Sequence, residues 1–192
     1  MALPKPDLLS PEAYLEQERS ATTKSEYWDG VVVAMSGASR NHNVITMNLL
    51  GLLLTQTQGR ECRPWGSDTR LSIPACKRYY YPDMMLTCGD EVWEDRHFDS
   101  LLNPTLVVGV LSESTAHYDK SEKWDCYQRI PSLQAYMLVA QDSVHIEVYQ
   151  RQEVGWLYSV FTQIETALDL TALALSLSLA SLYKDTHQRE ED

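Results

Sequence analysis

The sequence predicts a mixed α/β fold, a sheet flanked by helices, and three observations support this. The chain has 192 residues, 44% apolar and 22% charged, which is the size and composition of one globular domain. Short apolar runs typical of buried strands alternate with helical repeats. Residues 106–140 have the pattern strand, helix, strand. We therefore expect a single domain over residues 1–192, with mobile ends at 1–9 and 184–192.

The N-terminal third predicts a helix, a hairpin and a long core helix. Ser10-Pro11-Glu12 has the order of a helix start, with a capping hydroxyl, a first-turn proline and an early acid. Asp29-Gly30 separates two strand-like segments and predicts a hairpin turn. Residues 40–57 carry apolar side chains at helical spacing, and Gly59 is expected to cap that helix.

The middle of the chain predicts shorter, mostly extended pieces. Residues 61–73 have the pattern of two extended segments, broken near 64–68 by proline, glycine and aspartate. Residues 75–81 are predicted to be a loop that leads into a strand beginning near Tyr81. Residues 89–103 form the longest polar interval, which indicates an exposed loop or a short helix.

The C-terminal third predicts further strands. A helix should end at Pro131, because proline cannot continue it, and residues 135–140 form an apolar run typical of a buried strand. Residues 144–148 alternate between apolar and polar, and 156–161 is the expected hairpin partner. Residues 168–182 satisfy both the strand and the helix period, so the pattern alone leaves both open.

One central stretch places several groups that can share a reaction. Asp83 stands in front of a strand-like run, and residues 106–111 are nearly all apolar, as in a strand buried on both faces. Asp119 and Lys123 lie four apart and so share one helical face. An acid on one strand, a second strand beside it and a lysine on the next helix can converge on one point. That arrangement suits a hydrated divalent cation and a phosphodiester.

A resemblance to a known family rests on several ordered segments that extend from about residue 10 to residue 185. In order and spacing these segments resemble the Uma family of proposed restriction endonucleases, a branch of the PD-(D/E)XK nuclease superfamily. The resemblance implies a restriction-endonuclease-like core, favours a strand leading into a short helix at 168–182, and implies metal-dependent cleavage of DNA. The segments are Lys24-Ser25-Glu26-Tyr27, Gly30, residues 35–39, His42-Asn43, Pro82-Asp83, residues 104–115, Tyr118-Asp119, Glu122-Lys123 and residues 131–133.

The resemblance also implies roles for individual side chains. Asp83 and Glu26 would bind Mg2+, Lys123 would lie near the attacking water, and His42 could contact phosphate or metal. Each residue also has a simpler interpretation. Asp83 could begin a strand, Glu26 could be a solvated edge acid, Lys123 could pair only with Asp119, and His42 could hydrogen-bond locally at a helix start.

Gly109 is the main departure from the family pattern. The family has a glutamate there, the second metal-binding acid, and Leu111 stands where the superfamily usually has a lysine. We therefore expect Mg2+ binding to be weak or absent and catalysis to be impaired. Glu113 lies four residues further on, roughly 13 Å along a strand, which is too far to replace the missing carboxylate.

Two other groups of side chains have weaker functional interpretations. No nucleophile elbow surrounds Ser112, Ser114 and Thr115, which more simply cap the following helix. Residues 79–81, three consecutive tyrosines, and Trp65 could stack on bases, although aromatics beside a strand more often belong to the core.

The charge balance leaves the partner open. The chain has 16 basic and 27 acidic residues, a net charge of -11, which is the wrong sign for non-specific attraction to phosphates. DNA remains possible through a local basic cleft, or through a groove shared by an expected homo-dimer. The alternative is a catalytically degenerate module of the same fold that binds nucleic acid or a protein partner.

The remaining predictions concern location and cysteine chemistry. The N-terminus has no apolar core of signal-peptide length, and no run approaches the roughly 20 apolar residues of a membrane helix. We therefore expect a cytoplasmic protein without membrane contact. Four cysteines at irregular spacing favour reduced thiols over disulfides or a zinc site. They are Cys62, Cys76, Cys88 and Cys126.

Overall fold

The computed structural model describes residues 8–35, 37–112 and 118–187 and confirms the mixed α/β class. Four helices lie within these residues. They are α1 (Pro11–Ser20), α2 (Arg40–Gln56), α3 (a π-helical turn, Asp119–Lys123, that continues as the α-helix Trp124–Tyr127) and α4 (Leu179–Leu182). Two 3-10 turns, Pro74–Cys76 and Thr171–Leu173, each precede a strand.

The strands of the described residues form two sheets and a hairpin. The larger sheet has the order β11-β10-β9-β8-β6-β3, and its β8 and β9 run parallel. The smaller sheet has the order β2-β1-β5-β4-β7, and β12 pairs with β13. The strands are β1 (Ser25–Trp28), β2 (Val31–Ala34), β3 (Cys62–Gly66), β4 (Arg70–Ile73), β5 (Arg78–Tyr80), β6 (Met84–Cys88), β7 (Ser100–Leu101), β8 (Leu106–Leu111), β9 (Ala135–Ala140), β10 (Ile146–Arg151), β11 (Trp156–Phe161), β12 (Ala167–Leu170) and β13 (Leu175–Ser178).

Strand β8 lies in the middle of the larger sheet and is buried on both faces, as its sequence predicts. Val108 and Val110 belong to a core with α2, α4 and the β12–β13 hairpin. Val107 and Leu111 belong to a second core with α3 and part of the smaller sheet. A strand covered on both sides needs apolar residues at nearly every position, which explains the run at 106–111.

The helices and the hairpin predicted before residue 60 are confirmed, with one correction at the end of the long helix. Ser10 caps α1, because its hydroxyl accepts from the amide of Ala13 at 3.2 Å. Asp29 and Gly30 both have positive φ, 43° and 100°, as the tight turn between β1 and β2 requires. The helix of residues 40–57 is α2, but it ends at Gln56 with Thr57 as its cap, so the prediction that Gly59 is the cap is wrong.

Several predictions for the middle and the end of the chain need correction. The break expected near 64–68 lies after Gly66, because β3 is an edge strand and tolerates Pro64. The loop predicted at 75–81 contains a 3-10 turn and β5, and the next strand begins at Met84. Within residues 168–182 the strand β13 leads into the short helix α4, as the resemblance implies, and β12 adds a second strand that completes a hairpin.

The prediction of reduced thiols is wrong. Cys62 and Cys88 stand opposite each other in the β3–β6 ladder and form a disulfide. Cys76, in the turn before β5, forms a second disulfide with Cys126 of α3. Sequence spacing missed both, because the first pair depends on strand register and the second on how the turn packs against α3.

Some predictions fall on residues that the structure does not describe. Glu113, Ser114 and Thr115 lie outside the described residues, as do 1–7 and 188–192 within the predicted mobile ends. Ser36 of the 35–39 segment is also outside them. In the part of the chain that is described, no helix has both the length and the apolar character needed to cross a membrane.

Candidate functional site

Asp83 and His42 form the first part of the site, which we call the acid half. Asp83 stands just before β6, and its Oδ2 accepts from the amide of Val110 at 2.6 Å. Its Oδ1 lies 2.8 Å from Nε2 of His42, in the first turn of α2. Their side chains are 21% and 18% exposed, so the acid half is partly open to solvent.

Position 109 lies beside Asp83. Met84 of β6 pairs with Val108 of β8, so the same register carried one residue further brings Asp83 level with Gly109. A Cβ on Gly109 would lie 3.5 Å from Cδ2 of Leu138 and 3.8 Å from the hydroxyl of Tyr136, which are ordinary contact distances. A side chain at position 109 would therefore begin in available space beside Asp83.

Lys123, Glu26 and Asp119 form the second part, which we call the ammonium half. Nζ of Lys123 lies 3.0 Å from Oε1 of Glu26 and 3.0 Å from Oδ1 of Asp119. The three side chains are 14%, 8% and 10% exposed. Burial lowers the pKa of Lys123, but Glu26 and Asp119 outweigh it and raise the pKa above its usual range. The ammonium therefore remains charged at neutral pH.

Two different parts of the fold position the ammonium half. Glu26 belongs to β1 of the smaller sheet, and Nε1 of Trp28 donates to its Oε2 at 3.2 Å. The ring of Trp28 also stacks on Tyr118, just before α3, with centroids 4.4 Å apart. Asp119 and Lys123 come from the π-helical turn of α3, a rare geometry often found at functional sites. The predicted pairing of Lys123 with Asp119 is therefore present, and Glu26 joins it.

Tyr136 of β9 lies between the two halves. Its hydroxyl donates to the backbone oxygen of Asp119 at 3.1 Å, and the side chain is fully buried. Burial is the main reason that its pKa is raised well above the usual range, and the charges of Asp119 and Asp83 raise it further. The Tyr136 hydroxyl contacts the backbone of Asp119 and would lie 3.8 Å from a Cβ at position 109, which is level with Asp83, so both halves face the same region between β8 and α3.

The donor set fits a weakly held divalent cation better than a closed metal site. Carboxylate oxygens are the ligands that Mg2+ prefers, and Asp83 presents one such group beside Gly109. The other predicted ligand, Glu26, is already paired with Lys123. Among the described residues no group of three or more histidine, cysteine, aspartate or glutamate side chains is arranged to hold a metal ion. Water would have to supply most of the coordination at Asp83.

Sequence reasoning missed some features of this site. Neither interpretation of His42, a phosphate or metal contact or a local hydrogen bond, included the contact of its imidazole with Asp83, 41 residues further along the chain. Its Nδ1 is buried and has no hydrogen-bond partner among the described residues. Tyr136 was assigned only to a buried strand, and no local signal marks its hydroxyl, because its place beside Gly109 depends on the β8–β9 register.

Of the four aromatic residues suggested for base stacking, the three tyrosines belong to the core and Trp65 packs against it. The tyrosines at 79, 80 and 81 are 5%, 0% and 6% exposed, so their faces are not available to a nucleic acid. Trp65 packs edge-on against Trp93, with centroids 5.0 Å apart. The simpler interpretation of these four aromatics is therefore the right one.

Comparison with known proteins shows the family of this chain. A family model, Uma2, described as "Putative restriction endonuclease", matches residues 11–181. The chain belongs to the Uma2 family. Two Synechocystis proteins of strain PCC 6803 are similar to it. "Uncharacterized protein slr1290" is 37% identical over 177 residues, 92% of each chain, and "Uncharacterized protein sll1609" is 38% identical over 144 residues, 75% of this chain and 81% of that one.

A solved structure supports the fold of this Uma2 protein. The crystal structure of a "putative nuclease belonging to DUF820" from Anabaena variabilis ATCC 29413 superposes with a TM-score of 0.75. The match covers 91% of this chain and 97% of the other, at 16% identity. Likeness at that identity concerns the fold alone, and it confirms the predicted restriction-endonuclease-like architecture.

Proposed function

We propose that this Uma2 protein is a DNA endonuclease that hydrolyses phosphodiesters and whose cation site lacks one carboxylate. The observation that carries the proposal is the approach of the two halves to one phenol, Tyr136, on the face of β8 that carries position 109. A carboxylate and a protonated ammonium that face one region are the groups that metal-assisted hydrolysis of a phosphate needs.

Each half has a separate task in this proposal. Asp83 is the group that would hold Mg2+, with water completing the coordination. Mg2+, when bound, would polarise the phosphate and lower the pKa of a bound water. Lys123 presents a protonated ammonium that can stabilise charge developing on the phosphate, and Glu26 and Asp119 keep it in place.

Gly109 sets the level of activity expected. A glutamate at this position would add a second carboxylate next to Asp83, whereas glycine leaves Asp83 with His42 and the Val110 amide as its neighbours. A cation held by one carboxylate is bound weakly, so we expect cleavage to need millimolar metal and to be slow.

A plasmid-nicking assay with Mg2+ or Mn2+ tests the enzyme proposal. Asp83→Asn should lower the nicking rate at least about tenfold, because it removes the charge that attracts the cation and keeps the side-chain shape. Asp68→Asn is the matched control, since Asp68 is 95% exposed and lies outside the site. Equal nicking rates for Asp83→Asn and the unmodified protein would refute the proposal.

A second candidate is a binding module that keeps the fold without catalysis. It is favoured by the ammonium half, in which two carboxylates already neutralise Lys123, and by the net charge of -11. This candidate predicts no metal-dependent nicking but a measurable complex with DNA or a protein. If DNA affinity does not weaken as salt rises, phosphate contacts do not drive the complex.

A further inference from the structure

A row of aromatic rings lies beside the proposed active site. Gly109 pairs with Leu138, and Leu138 pairs with Glu147 of β10. Residues paired in a ladder share one face, so Glu147 lies on the face of position 109, two strands and roughly 10 Å away. Tyr149, two residues further along β10, shares that face, and its partner in β11 is Tyr158.

Four rings make up this row, which we call the aromatic strip: Trp124, Tyr149, Trp156 and Tyr158. Trp124 follows Lys123 directly in α3 and stacks on Tyr149, with centroids 4.1 Å apart and planes 21° apart. Trp156 meets Trp124 edge-on at 4.9 Å, and Tyr158 meets Tyr149 at 5.0 Å. Tyr158 is 49% exposed, so the strip ends in an accessible ring on the edge strand.

Cationic and hydrogen-bonding groups border the strip. The guanidinium of Arg151 lies 4.4 Å from the centroid of Trp156 and donates to the backbone oxygens of Leu133 and Ile130, which are neutral. On the other side Lys120 pairs with Glu147, a carboxylate that also contacts the imidazole of His145 and accepts from the hydroxyl of Tyr158. Lys120 neutralises Glu147, so the positive charge of Arg151 is left beside the rings.

This combination fits an unpaired nucleic-acid strand better than a duplex. Base faces stack on aromatic side chains only where they are not already stacked in a helix, and cations beside the rings contact the phosphates. The overall charge of -11 weakens contacts with phosphates. Stacking does not depend on net charge, so it can still contribute affinity for the bases. The exposed ring of Tyr158 supplies such a face, and Arg151, over Trp156 in the same strip, supplies the cation.

We propose that the aromatic strip binds single-stranded DNA next to the active site and holds the strand that Asp83 and Lys123 act on. The inference rests on the proposed function for its connection to cleavage, but the binding surface itself is defined by the strip. A separated strand, such as the end or melted part of a duplex, is therefore the substrate form that this surface selects.

Fluorescence anisotropy of a labelled oligothymidine, measured in EDTA, tests the strip without metal or cleavage. Tyr158→Ala should weaken binding about tenfold, because it removes one stacking face. Leu157→Ala is the matched control, since Leu157 is the neighbouring residue, is 51% exposed and points to the opposite face of β11. Tyr158→Phe, which keeps the ring and loses only the contact with Glu147, should retain the affinity.

The competing outcomes are distinguishable. Equal affinity of Tyr158→Ala and Leu157→Ala for the oligothymidine would overturn the proposal that the strip binds single-stranded DNA, even if Asp83-dependent nicking is observed. Tyr158-dependent binding without any nicking would support the strip and refute the enzyme proposal. A duplex should bind more weakly than the single strand and be insensitive to Tyr158→Ala. Tighter binding of an RNA strand than of DNA would overturn the assignment of DNA.

Discussion

The acid half and the ammonium half differ in how deeply they are buried and in how their charges are paired. Asp83 and His42 are about one-fifth exposed, and one backbone amide is the other partner of Asp83. Lys123 and its two carboxylates are more deeply buried, and both carboxylates share the one ammonium as their cation. A buried, paired charge is costly to disturb, whereas a partly open carboxylate is free to take a ligand. We therefore expect the larger effect on stability from the ammonium half, and we expect the proposed cation binding to depend on the acid half.

A different disulfide lies in the elements that position each half. The Cys62–Cys88 disulfide joins β3 to the far end of β6, the strand that Asp83 precedes. The Cys76–Cys126 disulfide joins the turn before β5 to α3, one helical turn after Lys123. The two halves can thus be perturbed separately, which makes the comparison testable.

The largest effect is expected for Lys123→Met. It leaves Glu26 and Asp119 buried without a cation, so the free energy of unfolding should fall by about 3–5 kcal/mol in urea denaturation. Lys24→Met is the control, because Lys24 pairs with Asp68 at the surface and its loss should cost below ~1 kcal/mol. Equal losses would show that the ammonium half is no more than a surface ion pair.

The pH dependence of that loss has a defined sign. The folded pKa of Lys123 is raised, so its contribution is complete below the unfolded value of about 10.4 and is lost as pH rises above it. The difference in unfolding free energy between the unmodified protein and Lys123→Met should stay constant between about pH 8 and 10 and shrink above that. A difference that shrinks already near pH 8 would contradict the assigned direction.

The next largest effect concerns the disulfides. Replacing both cysteines of either pair with alanine should cost about 2–4 kcal/mol. The pair Cys76–Cys126 spans 50 residues and Cys62–Cys88 spans 26, so loss of the first should cost about 0.6 kcal/mol more by chain entropy. Thermal unfolding of the two double variants measures the order, and a larger loss for the shorter loop would contradict it.

A smaller effect is expected from Gly109→Glu. The new carboxylate would enter beside Asp83, where a Cβ has room, so Mn2+ should bind at least about tenfold more tightly by titration calorimetry. Gly109→Gln has the same shape without the charge and should bind as weakly as the unmodified protein. Equal affinities for the two variants would show that the acid half cannot accept a second ligand.

The smallest effect is expected from Gly109→Ala. Glycine in a strand interior is less stable than alanine, and the new methyl meets only ordinary contacts, so unfolding free energy should rise by about 0.5–1 kcal/mol. Gly30→Ala should do the reverse, because Gly30 has a φ of 100° and its Cβ would lie 2.7 Å from Cβ of Leu8. Changes in unfolding free energy of the same sign for Gly109→Ala and Gly30→Ala would contradict this account.

The sequence predicted the parts of the site that depend on local pattern. The run at 106–111 indicated the buried strand, and four-residue spacing indicated the face shared by Asp119 and Lys123. The approach of Glu26 came from family resemblance, because no local pattern joins β1 to α3. The contact of His42 with Asp83 was missed, since it depends on how α2 lies against the edge of the sheet.

The prediction of free thiols failed for the same physical reason. Spacing along the chain says nothing about Cys62 and Cys88, which meet only because the β3–β6 ladder has one particular register. The aromatic strip could not be predicted from the sequence either, because Trp124 and Tyr149 come from a helix and a strand that meet only in the folded protein. The sequence pattern predicted the elements themselves but not the contacts between distant segments.

The contact between Glu26 and Lys123 can form only after most of the chain has been synthesised. The two residues are separated by roughly a hundred positions, so the glutamate leaves the ribosome well before its partner is synthesised. Helix α3 is too short to persist in water without packing, so the lysine in turn needs the N-terminal hairpin to be ready. A nascent chain that stops before α3 therefore leaves Glu26 without the ammonium that it pairs with in the folded protein.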